Sequence, residues 1–295
     1  MAEFSRRSAL KWLIPPLLVA VMLVWAVVLT QPDDKLRVSF LDVGQGDVIL
    51  VQTPNHQNIL IDGGPSPRAL NRELGKKLPF WDRTIDLVVS TQPQADHLAG
   101  LVEVLERYKV NEVVESGVPY NTSVYQEWLR LVEEKGVRRD RAIAGQEVDL
   151  GGGIKLEVLN PPQELFQGTS DDVDNNGVVL RLEWGKVSFL FTADIRWDGE
   201  FELINKRSGL QSTVLKVAHH GSSSSTTGQF LAVVDPQAAV ISVGNNTFGH
   251  PGEEVVERLA ERLGEGNVYR TDEDGTVEFI TDGERLWVRK KKAPS

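Results

Sequence analysis

The runs 85–90, 187–192 and 214–217 are apolar at most consecutive positions, and this constrains the fold more than any other feature of the chain. A strand without a polar face is buried on both sides, so its sheet must be covered front and back, as in layered α/β folds. Each run ends in a polar loop. The first passes through STQPQADHLAGL (90–101) into the helical spacing of 98–108, the second ends at Asp194, and the third runs into AHHGSSSS (218–225). Loops at strand ends carry chemistry in such folds. Taken alone, Asp96 reads as a helix cap. Repetition of carboxylate and imidazole at several strand ends instead favours one shared site. Four of the five histidines, His97, His219, His220 and His250, sit in or near these loops, whereas His56 lies in a hairpin turn.

Around these runs the chain is legible as alternating elements. Strands at 36–41, 47–53 and 57–61, separated by glycine- or asparagine-containing turns, predict an antiparallel meander. Helical patterns follow at 68–77, 98–108 and 122–135, the last with Val124, Trp128, Leu131 and Val132 on one face. A second β-rich half begins near Glu147, with strands at 154–159, 178–184, 187–192, 214–217 and 238–243, a helix at 253–264 and closing strands to about Arg289. No linker separates the halves and no short-period repeat is present. The serine run 222–225 reads as an exposed loop.

Composition narrows the chemistry. The chain is 41% hydrophobic and 25% charged, enough material for a sizeable core. A formal net charge of −10 argues against a broad nucleic-acid-binding face, while leaving room for a metal or a local basic patch to hold a phosphate. Without cysteine there is no disulfide and no thiolate, so any metal must be held by histidine and carboxylate. The uncharged run 12–29 approaches the ~20 residues a helix needs to cross a bilayer. Arg6, Arg7 and Lys11 precede it and Asp33 and Asp34 follow it, which predicts a membrane anchor with a cytoplasmic N-terminus and an extracytoplasmic main domain. The expected organisation is a short N-terminus and anchor over 1–31, a catalytic-type domain over 36–289, and a basic, solvated tail over 290–295.

In order along the chain stand LDVGQGD (41–47), ILIDGG (59–64), ADHLAGL (95–101), DNNGVVL (174–180), FTADI (191–195), KVAHHGS (216–222) and SVGNNTFGHP (242–251). The combination resembles the metallo-β-lactamase fold, specifically the C-terminal hydrolase domain of ComEC-type competence proteins, over about 36–289. The resemblance implies an α/β protein (α+β in its layering), a four-layer αββα sandwich, with metal at the sheet edges and phosphodiesterase or DNA-degrading activity outside the cell membrane. It implies a divalent ion, Zn²⁺ or Mn²⁺ and one per chain, held by Asp96, His97, Asp194 and either His219 or His220, with Asp96 and Asp194 as the catalytic carboxylates. Asp47, Asp62, Asn176, Ser222 and His250 are expected to contact substrate or support the ligands. A phosphodiester, in particular single-stranded DNA, is the implied substrate, and a separate membrane channel the implied partner.

The departures from that family pattern are specific. Gln92 and Gln94 stand at the first two ligand positions, Gly177 stands where the family often has Ser, and Ala193 where it often has Gly. A neutral amide oxygen is a weak ligand beside imidazole or carboxylate for a borderline ion, so the first metal half-site is expected to be degenerate. The alternative expectation is a non-catalytic binding or scaffold domain derived from that fold.

Overall fold

The computed structural model describes residues 6–29, 34–206 and 209–291, and the chain divides into two compact units, Met1–Asp34 and Lys35–Ser295. In the first unit, helix α1 (Arg6–Leu29) carries the apolar run. Side chains are described there over 13–24 only, a stretch short of the ~20 residues a bilayer requires. Among the described residues no helix is long and apolar enough to cross a membrane. The anchor expected over 12–29 thus extends outside the residues whose side chains are described.

The second unit opens with the meander β1 (Leu36–Phe40), β2 (Ile49–Gln52) and β3 (Asn58–Ile61), antiparallel as the turn residues predict. The chain continues through α2 (Pro67–Lys77), β4 (Thr84–Ser90), α3 (Ala95–Arg107), β5 (Lys109–Glu115), α4 (Ser123–Glu134) and β6 (Arg138–Arg141). Ser66 caps α2 by accepting from the Ala69 amide, with Pro67 at its first position, and Thr122 caps α4 by accepting from Tyr125. Strands β3 to β6 pair in parallel. Strands β5 and β6 escape the sequence reading, since their burial patterns offer no clean alternation and both carry charge.

The second half runs β7 (Glu147–Gly151), β8 (Ile154–Asn160), α5 (Asp172–Asn175), β9 (Val179–Trp184), β10 (Val187–Phe191), α6 (Trp197–Asn205), β11 (Val214–Lys216), α7 (Gly228–Val234), β12 (Ala238–Ile241), α8 (Glu253–Leu263), β13 (Val268–Arg270), α9 (Thr271–Asp274), β14 (Thr276–Thr281) and β15 (Leu286–Lys291). The last two strands return to the first sheet, giving the order β15-β14-β1-β2-β3-β4-β5-β6, against β13-β12-β11-β10-β9-β8-β7 in the second. Strand β15 continues through Lys291, so the basic residues Arg289, Lys290 and Lys291 form part of an edge strand rather than a free tail. Charge on such an edge discourages pairing with another chain.

Three apolar clusters define the layers. Phe40, Phe189, Phe191 and Phe279 belong to the cluster between the two sheets. Leu74, Leu101 and Trp128 pack α2, α3 and α4 onto the first sheet. Leu203, Phe230 and Leu259 pack α6, α7 and α8 onto the second. Helices therefore cover both outer faces of a two-sheet α/β sandwich, which is why β4, β10 and β11 have no polar face. In each sheet, antiparallel strands lead into a parallel set, β3 to β6 in one and β10 to β13 in the other. The carboxyl ends of parallel strands are where crevices for ligands form.

Candidate metal centre

Five loops meet at those carboxyl ends: Asp62 follows β3, Asp96 and His97 follow β4, Asp194 follows β10, His220 follows β11, and Ser242 follows β12. Close packing holds the first two loops together. A Cβ added at Gly100 would lie 2.0 Å from the Gly63 carbonyl oxygen, so only glycine lets α3 seat against the turn after β3. The ligand loops also sit in unusual backbone conformations. Asp62, Ala193, His219 and His220 have φ of 58°, 47°, 50° and 54°, a region costly for any residue but glycine. Asp96 lies inside the first turn of α3, whose N-cap is Gln94 without a side-chain capping bond, so the helix-cap reading of Asp96 does not hold.

Hydrogen bonds behind the histidines fix which ring nitrogen faces the site. Asp62 accepts from the Thr91 amide (2.7 Å) and hydroxyl (2.6 Å), and its Oδ2 lies 2.8 Å from His97 Nδ1. An acceptor so committed takes a proton from Nδ1 and leaves the Nε2 lone pair forward. His220 Nδ1 lies 2.8 Å from the Ser242 carbonyl oxygen, which fixes its ring in the same sense. His97 Nε2 stands 3.2 Å from Asp194 Oδ2 and 3.9 Å from Asp96 Oδ2, while His220 Nε2 stands 3.3 Å and 3.5 Å from the same two oxygens. Four acceptors converge, mutually within 4.8 Å, with three of the residues buried and Asp96 partly open. His220 Nε2 and Asp194 Oδ1 have no hydrogen-bond partner. With Nε2 lone pairs forward, acceptor would face acceptor, which is unfavourable without a cation or imidazole protons between them, and a two-imidazole, two-carboxylate set suits a borderline divalent ion. The residues present fit the expected metal.

The electrostatics of the site point the same way. Burial works against a charged His97, yet Asp194, Asp62 and Asp96 hold it well above the ordinary imidazole range. Burial likewise opposes charge on His220, but Asp194 and Asp47 push it up to about 10. Burial alone would raise the Asp194 carboxyl, and the His220 and His97 rings instead hold it well below the usual carboxylate range. Without a metal, the cluster takes its positive charge as protons on the imidazoles. A dication satisfies the same carboxylates and displaces those protons.

Behind the cluster lies a second acidic group, Asp47, Asp62 and His97. Its counter-ion is Lys216, fully buried, with Nζ 2.6 Å from Asp47 Oδ2 and 3.8 Å from Asp194 Oδ1, and donating to the carbonyl oxygens of Ala193 (2.9 Å) and Val217 (3.2 Å). Burial disfavours the ammonium, but Asp47 and Asp194 outweigh it and raise its pKa. The sequence reading does not single out Lys216. A lone lysine in an otherwise apolar strand is the signal that marks it.

Of the two neighbouring histidines, His220 enters the cluster. His219 stands outside it, with Nδ1 3.5 Å from the Ser224 hydroxyl and 4.0 Å from Asp174. Asn176 is turned to structure rather than substrate. Its amide donates to the carbonyl oxygens of Phe166 (3.0 Å) and Asp172 (2.7 Å), and its oxygen accepts from the Phe166 amide (2.8 Å). Ser222 is likewise spent inside its loop, bonded to the Ser224 hydroxyl (3.0 Å) and accepting from the Ser224 amide (3.3 Å). His250 keeps an unpartnered Nδ1, its ring 5.3 Å from His219 and 5.9 Å from the exposed Phe248. Gln92 and Gln94 each present an unpartnered amide oxygen, and Gln94 Nε2 donates to Asp174 Oδ1 (2.8 Å), a carboxylate the sequence reading does not name as a candidate.

Residues 41–245 match the metallo-beta-lactamase superfamily. The chain belongs to that superfamily. Its members are mostly metal-dependent hydrolases. Among curated proteins this metallo-beta-lactamase domain is 29% identical over 260 residues to ComE operon protein 3 of Bacillus subtilis (strain 168), covering 82% of this chain and 33% of that protein. It is 30% identical over 252 residues to competence protein ComA of Neisseria gonorrhoeae, covering 84% of this chain and 33% of that protein. Both are ComEC-type competence proteins, and the chain spans about a third of their length. The metallo-beta-lactamase fold protein YhfI of Bacillus subtilis superimposes with a TM-score of 0.54 at 12% identity, covering 86% of this chain and 100% of that one, a likeness of fold.

Proposed function

We propose that this metallo-beta-lactamase domain is a phosphodiesterase with one divalent ion, Zn²⁺ or Mn²⁺, acting on single-stranded DNA at the outer face of a membrane. The observation that carries the reading is the convergence of two imidazoles and two carboxylates, His97, His220, Asp96 and Asp194, whose ligand atoms lie within 4.8 Å of one another. When bound, such an ion supplies Lewis-acid polarisation of a phosphoryl oxygen and a nucleophile from water at neutral pH. Asp194 is buried, and Asp62 and the Ser242 carbonyl orient His97 and His220 around it. Asp96, its side chain 37% exposed, marks the side from which substrate enters. His250 is held below the ordinary imidazole range by burial and by the charges of His219 and His220, so at neutral pH it meets a phosphate oxygen or leaving group as a neutral ring. Phe248, 73% exposed beside it, offers a face on which a base stacks, which supports a nucleic acid over a simple phosphate ester. Kinship with competence proteins supports DNA as that substrate.

Anchoring is part of the same proposal. In α1 the large apolar side chains of Leu13, Leu17, Met22 and Leu23 are each 62–64% exposed, a surface that water alone covers poorly and a bilayer covers well. A separate membrane channel is the partner proposed for a domain that spans a third of its relatives. The test is metal content together with turnover. Purified protein is expected to hold one ion per chain and to cleave a single-stranded oligonucleotide, and Asp96→Ala is expected to lose both. Protein that binds no ion under metal-replete conditions would leave the scaffold reading standing.

A further inference from the structure

Beside the four-ligand cluster lies a second group of oxygen atoms. Asp174 is buried to 4% exposure, and both carboxylate oxygens are engaged: Oδ1 accepts from Gln94 Nε2 (2.8 Å) and Oδ2 from Arg196 Nε (2.7 Å). The Arg196 fork also reaches Asp171 Oδ2 through Nη2 (2.9 Å). Gln92, 1% exposed, has an unpartnered Oε1 3.1 Å from where a Cβ on Gly177 would stand, a point also 3.0 Å from the Asp174 carbonyl oxygen. The Gln94 Oε1 is also unpartnered. The Arg196 backbone is pinned, its amide donating to Asn175 Oδ1 (2.9 Å), so the guanidinium is delivered by a fixed main chain.

We propose that the Arg196 guanidinium, bonded to Asp174 and Asp171, is the counter-cation that keeps a hard divalent ion such as Mn²⁺ from the oxygen atoms that Asp174, Gln92 and Gln94 present beside the cluster. A buried carboxylate needs a counter-charge, and a planar fork satisfies Asp171 and Asp174 together as an ammonium does not. Neutral amide oxygens match this assignment, because a guanidinium already balances the charge and imidazole ligands have no ion to meet. Carboxylate and amide oxygens without nitrogen or sulfur suit hard ions over borderline ones. The inference goes beyond the proposed activity, since it concerns what fills the neighbouring site and not what the enzyme cleaves.

The test counts Mn²⁺ per chain by electron paramagnetic resonance titration of the free ion, as ions gained over the parent, so it reads independently of whether the parent turns over. Arg196→Ala is expected to gain one ion, and Arg196→Gln, which keeps a polar side chain beside Asp174 and serves if the first variant does not fold, is expected to gain it as well. Arg196→Lys retains a charge and is expected to gain none, as is Arg196→Ala combined with Asp174→Asn. Gln92→His with Gln94→His is expected to gain no ion while Arg196 stays. A folded Arg196→Gln protein that binds no further Mn²⁺ overturns the proposal, as does a gain that survives Asp174→Asn.

Discussion

The side chains behind the cluster decide what those in front can do. In the proposed centre His97 would offer Nε2 to an ion only while Asp62 accepts the hydrogen bond from its Nδ1, so the carboxylate acts through the ring's tautomer and basicity. Asp62→Asn, nearly the same size, is expected to weaken the ion by ~10–100-fold, read by competition with a chromogenic chelator, with little change in secondary structure. Lys216 has a different part, since it neutralises Asp47 where no water reaches. Removing one partner of a buried pair leaves the other charged and unpaired, so Lys216→Met is expected to cost ~3–5 kcal/mol in urea unfolding. Adding Asp47→Asn to that variant removes the stranded charge and should restore part of the loss. If the double variant is no more stable than Lys216→Met, the ion pair is not what holds this region.

Among the elements, the loop before β9 and the loop after β10 fit one another through two small residues. A Cβ on Gly177 would stand 3.2 Å from Ala193 Cβ, 3.1 Å from Gln92 Oε1 and 3.0 Å from the Asp174 carbonyl oxygen. The two departures from the family pattern, Gly177 and Ala193, are therefore neighbours, and a side chain added at Gly177 would crowd the Ala193 methyl. Gly177→Ser alone is expected to destabilise by ~1–3 kcal/mol through crowding. Ala193→Gly alone is expected to be roughly neutral: relief of a left-handed alanine, ~1–2 kcal/mol, is offset by the extra freedom of glycine in the unfolded chain, ~0.5–1 kcal/mol, and by the loss of a buried methyl. Together they are expected to couple favourably by ~0.5–3 kcal/mol, measured as a double-mutant cycle in denaturant. Additive effects would show that the contact carries no energy. The sequence shows both substitutions but not their contact. It likewise marks the exit of β4 as a site, while α3's position against Gly63 settles that Asp96 faces the cluster and not the helix's own amides.

For the whole molecule, a ligand that binds only the folded chain stabilises it by mass action. Zn²⁺ or Mn²⁺ at a hundredfold over its dissociation constant is expected to add ~2.7 kcal/mol, seen as a higher thermal midpoint that a chelator reverses and that Asp96→Ala abolishes. An unchanged midpoint in the parent would mean that the four acceptors do not close on an ion. The chain's local patterns determined much of this protein. Consecutive apolar residues specify strands covered on both faces, turn residues set the antiparallel meander, and Asp and His at strand exits mark where chemistry sits, because each of these is written within a few residues. Tertiary structure alone decided the rest. His219 and His220 are indistinguishable as neighbours, and the left-handed turn at 218–221 sends one ring into the cluster and the other outside it. Asn176 and Ser222 look available in sequence, but the folded shape of their own loops spends them on Phe166, Asp172 and Ser224. Lys216 meets Asp47 only after the two sheets come together, and Arg196 meets Asp174 only once β9 and β10 have paired between them. A pairing between distant residues leaves no trace in local periodicity, since its free energy is realised only once both loops are held at the edge of the packed sheets.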